Sequence, residues 1–165
     1  MSKNLLITGA SRGIGRATAL LAAAQGWTVG INYHSDRAAA DVVVAQILAA
    51  GGEAVALQGD VADEADVLRL FEAMDELGPL HGLVVNAGIV APPMLLLDMS
   101  GERLRRMFEV NVLGSYLTAR EGARRMARSR GGEGGSMVLV SSVPPASVHL
   151  SSTSTMPGRK APWTC

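Results

Sequence analysis

The sequence of 165 residues is poor in several features, and each scarcity excludes a class of protein. Cysteine occurs once, as Cys165, which excludes an internal disulfide and favours a reducing cytoplasm. Basic and acidic residues number 15 each, so the chain lacks the net positive charge that nucleic-acid partners usually require. No apolar run approaches the ~20 residues of a membrane span, and the first residues lack the pattern of a secretion signal. We therefore expect a cytoplasmic protein with neither nucleic acid nor a membrane as its partner.

What remains is typical of a globular domain, since 48% of the residues are hydrophobic and 18% are charged. The length suits one domain with a sizeable core rather than two. Three histidines are present, at positions 34, 81 and 149, and their spacing is not that of metal ligands. The spacing of the histidines therefore predicts no metal site.

Short apolar runs alternate with helical patterns through the first 142 residues. Buried strands are predicted over residues 4–8, 28–32, 54–58, 82–86 and 137–141. Helices are predicted over residues 14–25, 36–50, 63–77 and 100–128. Strands that alternate with helices imply crossover connections, so we expect an α/β fold with a parallel sheet of about five strands, covered on both faces.

The character of the chain changes after Ser142. Residues 143–165 contain four of the seven prolines and show neither a helical nor a strand period. We predict a folded domain over residues 1–142 and an irregular tail over residues 143–165.

The most informative motif is T-G-A-S-R-G-I-G at residues 8–15, which lies between the first strand and the first helix. This order of elements builds a phosphate-binding turn for a dinucleotide. Glycines let the backbone turn sharply and approach the pyrophosphate, whose charge then faces the N–H groups of the helix. The cofactor-binding residues predicted in this turn are Gly9, Ser11, Arg12, Gly13, Ile14 and Gly15. A simple glycine-rich turn is the alternative interpretation.

The end of the second strand bears on the choice between NAD and NADP. A carboxylate at residues 32–35 would bind the adenosine ribose hydroxyls and select NAD, but none occurs before Asp36. Arg12 offers a guanidinium group to a 2′-phosphate instead. The sequence therefore favours NADP, with NAD as the alternative and a solvated Arg12 as the simpler interpretation.

Two further segments follow the third and fourth strands. Asp60 and Val61 come directly after strand three, where the carboxylate can accept a hydrogen bond from the adenine amino group. Asn86, Ala87 and Gly88 follow strand four, where small residues let the cofactor ribose approach and the asparagine can hold the neighbouring strand. Both segments are also ordinary turn chemistry, which is the alternative for each.

Asn111 lies in the middle of the last predicted helix, where asparagine is unfavourable. It is expected on the apolar side, beside Leu104, Met107 and Phe108. We therefore predict that Asn111 binds a water molecule or a backbone carbonyl at the active site. A hydrogen-bonded amide within the core is the alternative.

Together these motifs resemble the short-chain dehydrogenase/reductase family. Five segments carry the resemblance in the family's order and spacing, at residues 8–15, 60–61, 86–88, 111–114 and 141–142. One departure is Val85, where many members have asparagine. The resemblance implies an incomplete Rossmann-like doubly wound sheet, hydride transfer between NAD(P) and an alcohol or ketone, and a homo-oligomer. Glucose 1-dehydrogenases and 3-oxoacyl-carrier-protein reductases are the members that the chain looks most similar to.

The family's catalytic group is incomplete in this sequence. The resemblance implies that Ser142 polarises the substrate oxygen and that Asn111 supports the proton path. It also implies a Tyr-x-x-x-Lys motif thirteen or fourteen residues after the serine, and there the chain has Met156 and Lys160. Methionine has no proton to donate in general acid catalysis. The sequence therefore leaves a second interpretation, a catalytically inactive nucleotide-binding fragment.

A frameshift is our hypothesis for the tail. If each true codon joins the last base of one codon to the first two bases of the next, residues 156–160 can be read as Y-A-G-S-K. The same shift permits A-A-R-L-G-S-P-V-E-Y-V-D over residues 144–155. We predict a single-base slip near codons 143–144, in the gene or in its sequencing. The helix that carries Tyr and Lys in the family also forms part of the subunit interface, so its loss implies weak cofactor binding.

Overall fold

The structure is a computed structural model that describes residues 3–142. Its strands are β1 (Lys3–Ile7), β2 (Trp27–Tyr33), β3 (Glu53–Gln58), β4 (Leu80–Val85) and β5 (Ser136–Leu139). Its α-helices are α1 (Gly13–Ala24), α2 (Arg37–Ala49), α3 (Glu64–Asp75), α4 (Gly101–Phe108) and α5 (Gly114–Met126). A π-helical segment, Glu109–Leu113, joins α4 to α5. The predicted tail over residues 143–165 lies outside the described residues.

The five strands form one parallel sheet in the order β3-β2-β1-β4-β5. The chain moves outward from β1 to β3 and then returns to the other side of β1 for β4. This reversal opens a crevice beyond the carboxyl ends of β1 and β4, where open α/β sheets bind ligands. The predicted Rossmann-like α/β fold is confirmed.

Helices cover both faces of the sheet. On one face, α1 and α2 bury Ala19, Val43 and Ile47 against β1 and β2. On the other face, α3 and α5 bury Phe71 and Leu117 in a second core. Alternate strand residues point into different cores, as the two-residue period of a strand requires. Each core is therefore closed by one pair of helices.

Two elements late in the chain differ from their predictions, one in where a strand ends and one in the continuity of a helix. Strand β5 ends at Leu139 rather than at residue 141, although the Val140 N–H still donates to the carbonyl of Val85. The helix predicted over residues 100–128 is interrupted by the π-helical segment. This wider turn keeps Asn111 buried while Leu104 and Phe108, expected beside it, are exposed. The Asn111 side chain pairs with the backbone of Ile89 at this wider turn.

Among residues 3–142, no helix has the combination of length and apolar character that a membrane crossing requires. The longest helices, α2 and α5, have 13 residues each.

Candidate functional site

A cavity of about 320 Å³ lies at the carboxyl edge of the sheet. Its walls come from the turn after β1, the ends of β2, β3 and β4, and one side of the segment around α4. The lining residues are Gly9, Ser11, Arg12, Ile14, residues 32–36, residues 59–61, residues 86–89, Arg106 and Val110. The topology therefore places a cavity where the crevice between β1 and β4 is expected.

The glycine turn forms the floor of this cavity. Gly9 has a φ of +64°, a conformation that favours glycine, and a Cβ atom there would lie 2.9 Å from the Cα of Ala87. A Cβ atom on Gly15 would lie 2.5 Å from the carbonyl oxygen of Gly9. Helix α1 then begins at Gly13 without a side-chain cap on its first N–H groups. The two glycines therefore allow a close approach of backbone segments that side chains would prevent.

Two asparagines from neighbouring strands hold Gly9 in place. The Asn86 side chain donates from Nδ2 to the carbonyl oxygens of Thr8 (2.9 Å) and Gly9 (3.1 Å). The Gly9 N–H donates to Oδ1 of Asn32 at 3.1 Å. Asn32 is fully buried, and its Nδ2 donates to the carbonyl oxygen of Gly59 at 3.0 Å. One side chain thus joins the turn after β1 to the turn after β3.

Sequence reasoning anticipated the bracing by Asn86 but missed the roles of Asn32 and Thr8. Thr8 is buried, and its Oγ1 accepts hydrogen bonds from the N–H groups of Asn86 and Ala87, each at 3.0 Å. Buried polar groups in proteins are nearly always hydrogen-bonded. Thr8 and Asn32 are polar residues at the ends of buried apolar strands, and this position in the sequence was the signal that their side chains would have hydrogen-bond partners.

Asp60 is the most strongly bonded carboxylate of the cavity. Its Oδ1 accepts from the Ala62 N–H at 3.0 Å, and its Oδ2 accepts from Arg106 at 2.8 Å. The ring Nε2 of His34 lies 3.7 Å from Oδ2. Partial burial of the carboxyl raises its pKa, but the hydrogen bonds and the nearby positive charges outweigh burial. The pKa of Asp60 is therefore lower than its ordinary value.

Replacement of Asp60 by asparagine should destabilise the fold in a pH-dependent way. Because its pKa is lower in the folded state than the unfolded value near 4, ionised Asp60 stabilises the fold above about pH 4. That contribution declines as the pH falls through the folded-state pKa. Urea unfolding should thus give a difference between the parent and Asp60→Asn that is largest near neutral pH and shrinks in acid.

A matched control is Asp41→Asn, since Asp41 forms an exposed ion pair with Arg37. It should change the free energy of unfolding by less than about 1 kcal/mol at any of these pH values. A difference for Asp60→Asn that grows toward acid would contradict the stabilising role of its ionised form.

The buried Asn111 side chain pairs with one loop residue. Its Nδ2 donates to the carbonyl oxygen of Ile89 at 3.0 Å, and its Oδ1 accepts from the Ile89 N–H at 2.8 Å. A Cβ atom on Gly88 would lie 3.1 Å from the same Oδ1. The amide therefore holds the turn after β4 against the π-helical segment, and the carbonyl partner is that of Ile89.

The structure brings most of the predicted cofactor residues together at the cavity. Those that line it are Gly9, Ser11, Arg12, Ile14, Asp60, Val61, Asn86, Ala87 and Gly88. Gly13 and Gly15 lie directly behind this wall, in the first turn of α1. Ser142 is exposed beyond the end of β5 and is not part of the cavity lining. Among residues 3–142, no group of three or more potential metal ligands is clustered.

Comparison with known proteins gives a consistent picture. The sequence pattern of the family described as short chain dehydrogenase matches residues 3–151. An uncharacterized oxidoreductase of Escherichia coli (strain K12), YgfF, is 48% identical over 139 residues, which are 84% of this chain and 56% of the relative. A 3-oxoacyl-[acyl-carrier-protein] reductase of Synechocystis is 42% identical over 77% of this chain and 51% of its own length.

A solved structure agrees with these relatives. The crystal structure of a short-chain type dehydrogenase/reductase from Mycobacterium marinum superimposes with a TM-score of 0.82 at 37% identity. That similarity covers 92% of this chain and 60% of the solved chain. The chain thus spans about half the length of the curated relatives that it matches.

Proposed function

The chain belongs to the short-chain dehydrogenase family, and from this premise we propose that its domain binds NADP(H) for hydride transfer between the cofactor and an alcohol or ketone. The bound nicotinamide would supply or accept the hydride. The family consists of oxidoreductases, but the matched relatives are about twice as long, so the activity is a proposal for this chain. A cytoplasmic location and a homo-oligomeric assembly are parts of the same proposal.

The observation that carries the proposal is the cavity at the carboxyl edge of the sheet. Its floor is a backbone cradle formed by the glycine turn, which packs so closely that a Cβ atom on Gly9 or Gly15 would clash with neighbouring protein atoms. A phosphate group fits such a cradle, since the uncapped N–H groups of α1 are donors at the positive end of the helix dipole. Ser11, Gly13 and Ile14 would surround the pyrophosphate, while Val61, Ala87 and Gly88 would contact the nucleoside parts.

The preference for NADP is supported by the charges at the end of β2. Arg12 is an exposed cation in the cavity wall. The nearest carboxylate after β2, Asp36, accepts a hydrogen bond from the Ala39 N–H at 3.0 Å and caps α2. The Arg12 guanidinium lies in the cavity wall, and the Asp36 carboxylate already accepts a hydrogen bond from the backbone of α2. Both features favour a ribose with a 2′-phosphate over a ribose with two free hydroxyls.

The remaining proposed roles concern the reacting end. Ser142 would polarise the substrate oxygen, and Asn111 would support the proton path. The bidentate pairing of Asn111 with Ile89 favours an indirect role for its side chain, namely keeping the turn at residues 86–89 in place. Neither residue replaces a general acid, and Met156 cannot act as one. This supports the second candidate, a nucleotide-binding chain that does not catalyse.

Titration with nucleotide fragments tests the cofactor proposal without requiring turnover. Adenosine 2′,5′-bisphosphate and adenosine 5′-monophosphate are titrated to millimolar concentrations, with NMR chemical shifts as the readout. Arg12→Gln should weaken the 2′-phosphorylated ligand roughly tenfold and leave the other nearly unchanged. Arg37→Gln, which removes an exposed charge paired with Asp41, is the matched control.

The outcomes separate the candidates. Binding of neither ligand by the parent would overturn the cofactor proposal, and equal loss of both ligands in Arg12→Gln would overturn the NADP preference. Binding together with NADPH-dependent reduction of a panel of ketones would support the enzyme over the non-catalytic candidate.

A further inference from the structure

Arg106 reaches from α4 to the cavity and forms an ion pair that the proposed chemistry does not use. Its NH2 group donates to Oδ2 of Asp60 at 2.8 Å, across 46 positions of the sequence. The Arg106 side chain is 40% exposed and the Asp60 side chain 21% exposed, so the pair lies at the cavity rim rather than in the core. Both residues line the cavity.

The partners of Asp60 define the direction of its carboxylate. The Ala62 N–H holds Oδ1, and Arg106 holds Oδ2 from the opposite element. Each carboxylate oxygen retains acceptor capacity, because an ionised aspartate has about four lone-pair sites. The carboxylate is thus ionised, oriented on both oxygens and still able to accept a hydrogen bond from a ligand.

Helix α4 is less buried than the helix that follows it. None of the eight residues of α4 is buried, whereas α5 buries seven. Arg103 donates to the carbonyl of Pro92, which belongs to the loop that precedes α4. Within residues 3–142, the Arg106–Asp60 pair is the ion pair that joins α4 to the end of a strand.

We propose that Arg106 is a positioning residue of the nucleotide site, which acts by holding the Asp60 carboxylate at the adenine end and α4 against the cavity. This inference rests on the proposed function, because it assigns the adenine amino group as the ligand of Asp60. Arg106 acts through Asp60, so removal of either partner has the same consequence. The nucleoside loses an oriented acceptor, and one cavity wall loses its attachment.

The test is a double-mutant cycle with adenosine 5′-monophosphate as the probe, on the full chain. Arg106→Gln and Asp60→Asn should each weaken binding roughly tenfold. The double variant should bind the nucleotide about as weakly as either single variant does. Arg106→Lys should restore part of the loss, because it keeps the charge. The matched control is Arg105→Gln, the same change on the exposed neighbouring residue of α4, and it should stay within about twofold.

Thermal melts and amide hydrogen exchange of residues 101–108 accompany the titrations. Faster exchange in Arg106→Gln with unchanged exchange in the sheet supports the attachment of α4. Normal nucleotide binding by Arg106→Gln, or simple additivity in the cycle, would overturn the role of Arg106 and leave the proposed function intact. Absence of binding by the parent would overturn both. If Arg106→Gln does not fold, Arg106→Lys takes its place in the cycle with Asp60→Asn, and the same outcomes decide.

Discussion

A chain read in the shifted frame after codon 143 should reduce ketones with NADPH about 10²–10⁴ times faster than the chain in its present frame. The hypothesis is that the shift places a tyrosine at position 156, where methionine now stands, and a lysine at position 160, as the codons of these residues permit. A phenol close to a lysine ammonium has a lowered pKa and can exchange a proton with the substrate oxygen. The present chain lacks that proton donor, so its rate should be near the background.

The measurement compares the rate of NADPH oxidation by the present chain and by the frame-shifted chain. Each is expressed up to the first stop codon of its own reading frame. A third chain, with phenylalanine in place of the restored tyrosine, is the control and should return to the background rate. Sequencing of the genomic locus gives an independent decision. If the DNA downstream of codon 143 holds no continuation of a reductase in another frame, the frameshift hypothesis is wrong.

Gly15→Ala should lower the free energy of unfolding by about 3 kcal/mol and abolish measurable nucleotide binding. The added Cβ atom would lie 2.5 Å from the Gly9 carbonyl oxygen and 2.9 Å from the Cα of Ala10, both backbone atoms. It would also lie 2.7 Å from Nδ2 of Asn86, the group that braces Gly9. Relief of these overlaps requires the turn itself to move, so stability and binding are lost together.

Gly101→Ala is the matched control for this substitution. Gly101 is the first residue of α4, and an added Cβ atom there would meet nothing within 4 Å. Alanine should therefore be neutral or stabilise the chain by up to about 1 kcal/mol. Chemical denaturation and nucleotide titration of both variants test the contrast. A Gly15→Ala protein that is as stable and as competent in binding as Gly101→Ala would contradict the tight packing of the turn.

The parallel sheet and three segments of the cavity wall were predictable from the sequence, because they follow from local signals. Apolar runs four to seven residues long alternate with helical patterns, and the glycine turn at residues 8–15 lies between the first pair. Strand ends in a parallel sheet meet at one edge, so residues 60–61 and 86–88 could be assigned to the same site before their contacts were known.

What escaped prediction depends on contacts between distant segments. The pairing of Arg106 with Asp60 spans 46 positions and leaves no periodic trace. The π-helical segment contains Asn111, whose side chain pairs with the backbone of Ile89, a tertiary contact that the helical period does not reveal. Asn32 looks like an ordinary strand residue until its three partners from other segments, Gly9, Leu57 and Gly59, are known.

The bracing of Gly9 by Asn32 and Asn86 has a consequence for the binding of a nucleotide. The hydrogen bonds from Asn32 and Asn86 keep the backbone of this turn ordered, so no ligand is needed to order it. The proposed nucleotide would then meet a turn that already has its bound shape, and little conformational entropy would be lost on binding. A turn that is ordered before the nucleotide binds therefore favours affinity.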